Sequence, residues 1–316
     1  MQNAKYMYEN LFKLYQEIVR FNEPLARSTS FKIGGPAEIL LAPRSVEELT
    51  SVYQLCRRHE IPVFILGGGT NLLVSDTGVK GAVIKITFSP KVNPEDLRGN
   101  HRLINDEIIS ADAGHSLNHL VITSLKAGLG GPEILAGIPG TVGGAVMMNA
   151  GGKYGTIGDL VESLTVLASD GTLHVIKRDG INFGYRTFGL LAPQKAGAED
   201  ILIVKVTLRL KKERPEYLKE RFQEILKEKI RTQPLNAKSA GCVFKNPENQ
   251  SAGALIDQAG LKGLAVGGAK VSEQHANFII NTGQATARDV LTLMEQIKKT
   301  VADKFKVNLE PEIKIW

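Results

Sequence analysis

The sequence is poor in the features that most often identify a function. Its 316 residues hold two cysteines, Cys56 and Cys242, far apart in the chain. No disulfide framework is expected, and a reducing compartment fits that count. No apolar run approaches the ~18 residues of a membrane span. The N-terminus, MQNAKYMYENLFKLYQEIVRF, lacks the apolar core and small-residue cleavage site of a signal peptide, so a cytoplasmic protein is expected. His275 and Asn277, in SEQHANFIIN, lack a partner at metal-ligand spacing, and no metal is expected. The lysine and Ser/Thr of a Walker A loop are missing, as is a GxGxxG helix start. Aromatics make up 6% and do not interleave with basic residues, which argues against nucleic acid. There are no internal repeats and no low-complexity tail.

What remains is an ordinary globular composition, 43% hydrophobic and 23% charged, in a chain long enough for two or three domains. The formal charge of +6 favours anionic partners. In Lys211–Lys229 the basic residues alternate with acids, as on a solvated helix face. The densest glycine run is GLGGPEILAGIPGTVGGAVMMNAGGKYG, from Gly128 to Gly155. Ile134, Leu135, Ile138, Val142, Val146, Met147 and Met148 sit between the glycines, which a flexible linker would not carry. The run reads either as a buried backbone wall facing a ligand or as tight turns under a sheet. Upstream, PVFILGGGTNLLV takes an apolar strand into three glycines, a way of presenting backbone N–H groups to a phosphate.

Periodicity supplies a coarse element list. Leu11, Leu14, Tyr15, Ile18 and Val19 mark one face of a first helix. PLARSTSFKIGGPAEILLAP reads as strand–turn–strand. Ser45 caps a helix to His59, with Val46, Leu49, Val52 and Cys56 on one side, making Cys56 a core residue. Ala82–Phe88 and Ile108–Ala113 read as strands, with a polar surface loop over 90–107. Ser116–Gly128 is a helix. Asp170-Gly171 joins the strands Val161–Ala168 and Leu173–Lys177 in a hairpin. Leu202, Val204, Val206, Leu208 and Leu210 share one face of a half-buried strand. Composition shifts at Lys211, which places a domain boundary near residue 212. Beyond it come a charged helix (Glu216–Ile230), short strands at Val243–Phe244 and Phe278–Ile280, and helical spacing in Ala254–Ala259. A long helix carries Val290, Met294, Ile297 and Val301, and VNLEPEIKIW is a terminal strand.

Several residues are candidates for chemistry, each with a bland alternative. Cys242, in SAGCVFKNP, can transfer a proton or attack, or can simply pack. Arg186, in FGYRTF, can hold a carboxylate in a bidentate grip or be a stacked structural guanidinium. Glu312 is an acid in an apolar terminal strand, yet it shares the parity of Glu310 and Lys314, which suits a solvent-facing side chain. His275 and Asn277 lack metal-spaced partners and suit hydrogen bonding or a surface role.

Taken together and in order, ILGGGTNLLVSD, GIPGTVGGAVMMNAG, FGYR, SAGCVFKNP, LIDQAGLKG, HANFIIN and EPEI closely resemble the UDP-N-acetylenolpyruvoylglucosamine reductases. These are flavoenzymes of peptidoglycan precursor synthesis. The resemblance runs from about Leu25 to Ile315. It implies an α+β protein with an FAD-binding domain of the vanillyl-alcohol-oxidase type over 1–212, in two subdomains of about 1–85 and 86–212. A C-terminal α+β domain over 213–303 would bind the UDP-sugar, and the strand at 304–316 would return to the flavin. Non-covalent FAD would lie between Leu66, Gly67, Gly68, Gly69, Thr70, Asn71 and Leu72 on one side and Gly137, Ile138, Pro139, Gly140, Thr141, Gly143 and Gly144 on the other. NADPH would reduce it, and the enolpyruvyl sugar would then take the hydride. Arg186 and Glu312 match the pair that steadies the enolate, and Cys242 matches the proton donor, where many members carry serine. Cysteine fits, because its unperturbed pKa of ~8.5 keeps it mostly protonated at neutral pH. Tyr185, Arg231, Asn246, Lys262 and His275 fall at substrate positions. The stretch between Leu210 and Arg231 is too short for the tyrosine-bearing loop of one subgroup. A monomer is expected. An oxidase of the same fold with another substrate, and a non-catalytic nucleotide-binding protein, are the alternatives.

Overall fold

The computed structural model describes residues 8, 11–86, 101–105, 107–191 and 201–316. Its first sheet has four strands, in the order Val19–Pro24, Pro36–Leu41, Val79–Lys85 and Val63–Leu66. The outer pair Val19–Pro24 and Pro36–Leu41 is antiparallel, and the other two pairings are parallel. Two parallel strands need a crossover, and the helix Val46–Arg58 supplies it. Ser45 caps that helix: its Oγ accepts the Glu48 N–H at 3.2 Å. Leu49, Val52 and Cys56 are buried with Ile39, Leu41 and Ile84 of the sheet. Cys56 is thus a packing residue, and burial pushes its thiol up to about 12. On the sheet's other face Leu40, Leu66, Leu72 and Val83 form a smaller core closed by Phe64 and Trp316.

The second sheet is antiparallel, in the order Leu173–Lys177, Val161–Leu167, Leu202–Arg209, Ile108–Asp112 and His101–Asn105. Leu202, Val204, Val206 and Leu208 are buried while Lys205 and Arg209 are exposed, the alternation of a strand with one wet face. The helix Leu117–Lys126 packs against it and belongs to the same large core. The C-terminal unit has a three-stranded sheet, Ala265–Val266, Ala269–Val271 and Ile279–Asn281, under the helices Ala252–Gln258 and Ala287–Phe305. Its core also takes in Phe31, Ile33 and Leu73 from the N-terminal half.

Four expectations need correction. Val19 opens a strand rather than ending a helix. Among the described residues Tyr8 and Leu11 are helical, with the Phe12 N–H donating to the Tyr8 carbonyl at 2.9 Å, and a 3-10 turn, Lys13–Tyr15, follows; Tyr8, Leu11 and Tyr15 pack on the large core, while Leu14, 92% exposed, lies off that face. In the strand–turn–strand segment, Leu25–Ser28 is a 3-10 turn and the pairing strand lies earlier. The expected loop at 90–107 contains the strand His101–Asn105, which closes the second sheet; residues 87–100, and Phe88 with them, lie outside the described residues. The terminal segment is a strand only at Lys314–Ile315, parallel to Leu72–Leu73; Pro311 makes an isolated bridge to Phe244, at a position that needs no N–H, and a bend at Ile313 separates the two pairings.

The helix Pro215–Thr232 fills the stretch before Arg231, and its Leu218 and Phe222 join the large first core. Among the described residues no helix is long and apolar enough to cross a membrane. Polar clasps fix the C-terminal unit against the first sheet. Asn281 Nδ2 donates to the Phe31 carbonyl at 3.0 Å, and Ser30 Oγ to that of Ser239 at 2.6 Å. The Asp76 carboxylate accepts the N–H groups of Ala287 and Arg288, at 2.7 and 3.1 Å, at the start of the long helix. Asp76→Ala should therefore cost about 1 kcal/mol, the scale of a lost helix cap, and Asp76→Asn less. Urea unfolding at neutral pH measures both, and an unmoved midpoint would show that the clasp adds no stability.

Candidate active site

The strand Val63–Leu66 delivers Gly67, Gly68 and Gly69 directly against the second glycine loop. A Cβ on Gly68 would stand 2.7 Å from the Gly140 Cα, so only glycine lets the loops touch there. Gly69 adopts φ +62°, and a side chain on it would run into the Ser28 carbonyl. Thr70 Oγ1 donates to the Pro139 carbonyl at 3.3 Å. Thr141 caps the short helix Val142–Met147 by accepting the Gly144 N–H. The expected cofactor residues thus divide. Gly67, Gly68, Thr70, Pro139, Gly140 and Thr141 meet. Leu66 and Leu72 send their side chains into the core, and Gly143 packs against Ala113. Ile138 packs on the large core, and Gly137, at φ +70°, lies under Leu226 and Lys229. In the wall itself Val142 and Val146 are buried while Met147 is 48% exposed.

Beside the paired loops is a cavity of about 300 Å³ lined by Arg27, Ser28, Thr29, Ser30, Lys32, Gly67, Gly68, Lys85 and Thr141. Three cations and several hydroxyls face it. Among the described residues the N–H groups of Gly68, Gly69 and Thr70 have no protein acceptor. Donors and positive charge around a narrow cleft suit the diphosphate of a dinucleotide. The residues present therefore fit FAD at this place.

Three elements then bring the reactive candidates together. The hairpin Ile181–Gly184/Thr187–Leu190 carries Tyr185 and Arg186 at its turn, with Arg186 at φ +57°. The segment at Glu310–Glu312 pairs with Val243–Lys245: the Glu312 N–H donates to the Val243 carbonyl at 2.7 Å, and the Lys245 N–H to that of Glu310 at 2.8 Å. Cys242 bridges to Phe278 of the same unit. Arg186 Nε lies 2.7 Å from Glu312 Oε1, with side chains 20% and 13% exposed. Glu312 therefore faces inward, and the parity that suggested solvent does not apply outside a regular strand. The Arg186 Nε–H is poorly aligned on that oxygen, so the contact is first of all an ion pair. A second nitrogen donates to the Gly151 carbonyl at 3.2 Å.

Burial raises the Glu312 carboxyl above the ordinary carboxylate range, against the pull of Arg186 and Lys245. Burial, reinforced by the Glu312 charge and opposed by Arg186, pushes the Cys242 thiol up to about 12. Asn71, expected on the cofactor, turns its amide to the Glu312 carbonyl at 3.1 Å, tying the first glycine loop to the terminal segment.

Of the expected substrate residues, Tyr185 and Asn246 meet: the Asn246 N–H donates to the tyrosine hydroxyl at 3.1 Å. Lys262 pairs with Asp257 at 2.6 Å, and its charge adds to the burial that lowers His275. Arg231 is exposed on the last turn of its helix, where its charge acts on Glu228. Glu228 in turn holds Tyr154 at 2.8 Å and Lys153.

Lys229 was missed. Its Nζ donates to the Ala136 carbonyl at 2.6 Å, and burial beside Arg186 lowers it to about 8. The signal was present, because Leu218, Phe222, Ile225 and Lys229 share one helical stripe, hidden in a run read as solvated.

Residues 233–316 match the family description "UDP-N-acetylenolpyruvoylglucosamine reductase, C-terminal domain", and residues 37–177 match "FAD binding domain". A UDP-N-acetylenolpyruvoylglucosamine reductase of Moorella thermoacetica is 44% identical over 295 residues, 93% of this chain and 92% of that protein. One of Clostridium botulinum is 39% identical over 313 residues, 98% of this chain and 97% of that protein. The crystal structure of the UDP-N-acetylenolpyruvylglucosamine reductase of Thermus caldophilus matches with a TM-score of 0.77 at 39% identity, covering 94% of this chain and 98% of that one.

The raised thiols make a direct prediction. At pH 8 both cysteines should react with a thiolate-specific reagent on the order of a thousandfold more slowly than a free thiol, and both should titrate once the chain is unfolded. A rapidly labelled Cys242 in the native protein would show that its thiol is not held protonated.

Proposed function

The chain belongs to the family of UDP-N-acetylenolpyruvoylglucosamine reductases, and we propose that it draws its hydride from NADPH and completes the reaction with Arg186, Glu312 and Cys242. It is a flavoenzyme of peptidoglycan precursor synthesis that reduces UDP-N-acetylglucosamine enolpyruvate to UDP-N-acetylmuramate. The observation that carries the residue roles is the meeting of a guanidinium, a buried carboxyl and a protonated thiol at the join of two units.

The chemistry that bound FAD supplies is hydride transfer, from NADPH and then to the enolpyruvyl double bond. Gly67, Gly68 and Thr141 of the two glycine loops, with Arg27, Lys32 and Lys85, would hold the FAD diphosphate. When hydride reaches the carbon β to the substrate carboxylate, an electron pair is left on the α carbon and spreads into the carboxylate. Arg186, its guanidinium held beside Glu312 and the Gly151 carbonyl, would meet that charge as it grows. A donor preset for developing charge does more for the rate than one that reorients. Glu312 in this reading is protonated from solvent and hydrogen-bonds to the enolate oxygen without giving up its proton, a state that the burial raising its carboxyl favours. Cys242 gives its Sγ proton to the α carbon and regains one from solvent. Tyr185 and Asn246, which touch, would meet the substrate, and the family resemblance assigns Lys262, His275 and Arg231 to its diphosphate and sugar. The protein is taken as a cytoplasmic monomer.

Single-turnover kinetics test the assignment. Cys242→Ala should still let NADPH bleach the flavin, whereas reoxidation by the enolpyruvyl sugar should slow by about 10²–10⁴-fold, the range for a lost general acid. Cys242→Ser should keep much of the rate. An alanine variant that turns over normally would remove Cys242 from the mechanism. NADPH oxidation that proceeds without the sugar would favour an oxidase of the same fold.

A further inference from the structure

Asn149 lies in the glycine wall, where it reads as one more turn residue, but its environment is unusual. It follows the short helix Val142–Met147 at φ +41°, a left-handed conformation that asparagine tolerates better than most side chains. It is 5% exposed. Both ends of its amide are used, and they join separate elements. Nδ2 donates to the Gly184 carbonyl at 2.9 Å, and Oδ1 accepts the Gly158 N–H at 3.1 Å. Gly184 is the last strand residue before the Tyr185-Arg186 turn. A Cβ on Gly158 would stand 2.6 Å from Asn149 Oδ1 and 2.7 Å from the Phe183 ring, so the absence of a side chain there lets the hairpin seat against Asn149. Two residues further along the wall, the Gly151 carbonyl accepts from Arg186 itself.

We infer that Asn149 is a positioning residue for the oxidative half of the reaction: it ties the cofactor-loop helix to the hairpin and so sets where the Arg186 guanidinium stands. The inference rests on the proposed role of Arg186. The geometry is demanding, because Arg186 is itself left-handed and sits on a turn of two residues. Nothing in so short a turn can absorb a shift of Gly184. The hairpin's position then passes directly to the guanidinium, and through it to the Glu312 contact.

The test uses the flavin-loaded full chain and measures both half-reactions. Asn149→Gly keeps the left-handed backbone without strain and removes both side-chain bonds. It should slow reoxidation by the enolpyruvyl sugar by about tenfold to a hundredfold, the cost of a displacement near 1 Å, and leave bleaching by NADPH within about threefold. Asn149→Asp keeps the acceptor for Gly158 but sets a carboxylate against the Gly184 carbonyl, and should slow the same step in a protein with normal flavin content. If the glycine variant fails to fold, the aspartate variant decides the question alone. In an Arg186→Ala background, either change should alter reoxidation by less than about twofold, because a positioning residue has nothing left to position. Equal losses in both half-reactions, or the same loss with and without Arg186, would reduce Asn149 to a structural residue. A normal reoxidation rate in Arg186→Ala alone would overturn the role of Arg186 instead.

Discussion

The contact between Arg186 and Glu312 is the constraint on which the site depends. Two charges taken largely out of water are costly unless they stay together. Their partners come from opposite parts of the chain, one on a hairpin of the first unit and one in the last five residues. Each is held by several independent bonds. Glu312 is fixed through its N–H to Val243, through Asn71 to its carbonyl, and by the following strand on Leu72–Leu73. Arg186 is fixed by the turn, by Gly151 and by the seat that Asn149 provides. The pair closes only if the C-terminal unit docks, so the same docking that buries Phe31, Ile33 and Leu73 brings the two proposed catalytic side chains together.

The glycine loops have a different role. Where Gly68 meets Gly140 they touch backbone to backbone, and the cations of the neighbouring cavity come from the turn at Arg27–Lys32 and from Lys85. They supply shape and donors for a cofactor diphosphate. The three side chains proposed to react, Arg186, Cys242 and Glu312, all lie on other elements. Binding and reaction are therefore physically separable, which is why half-reaction kinetics can address them one at a time.

Much of this was legible in the sequence where local rules act alone. Ser45 with its following glutamates and 3–4 apolar spacing marks the helix Val46–Arg58, and Asp170-Gly171 marks its hairpin, because caps and turns are local. Arg186, Cys242 and Glu312 could be singled out by resemblance, and the fold brings them together. The failures have a common cause, since they depend on tertiary partners. Val19 and its neighbours fit a helical stripe until pairing with Leu41 draws Val19 into a strand. The parity of Glu312 presumes a regular strand with one wet face, whereas its segment pairs with Val243–Lys245 and turns the carboxyl inward. Lys229 hides in a charged helix because its stripe becomes visible only against the core it covers.

The central claim is that Arg186 and Glu312 act as one unit on the substrate's developing charge. A double-mutant cycle on flavin reoxidation by the enolpyruvyl sugar, with Arg186→Ala, Glu312→Gln and the double variant, tests it most directly. Groups that act together lose their effect together, so the double variant should be slower than the worse single variant by less than about threefold. Rate losses that simply multiply would show two independent residues and contradict the account.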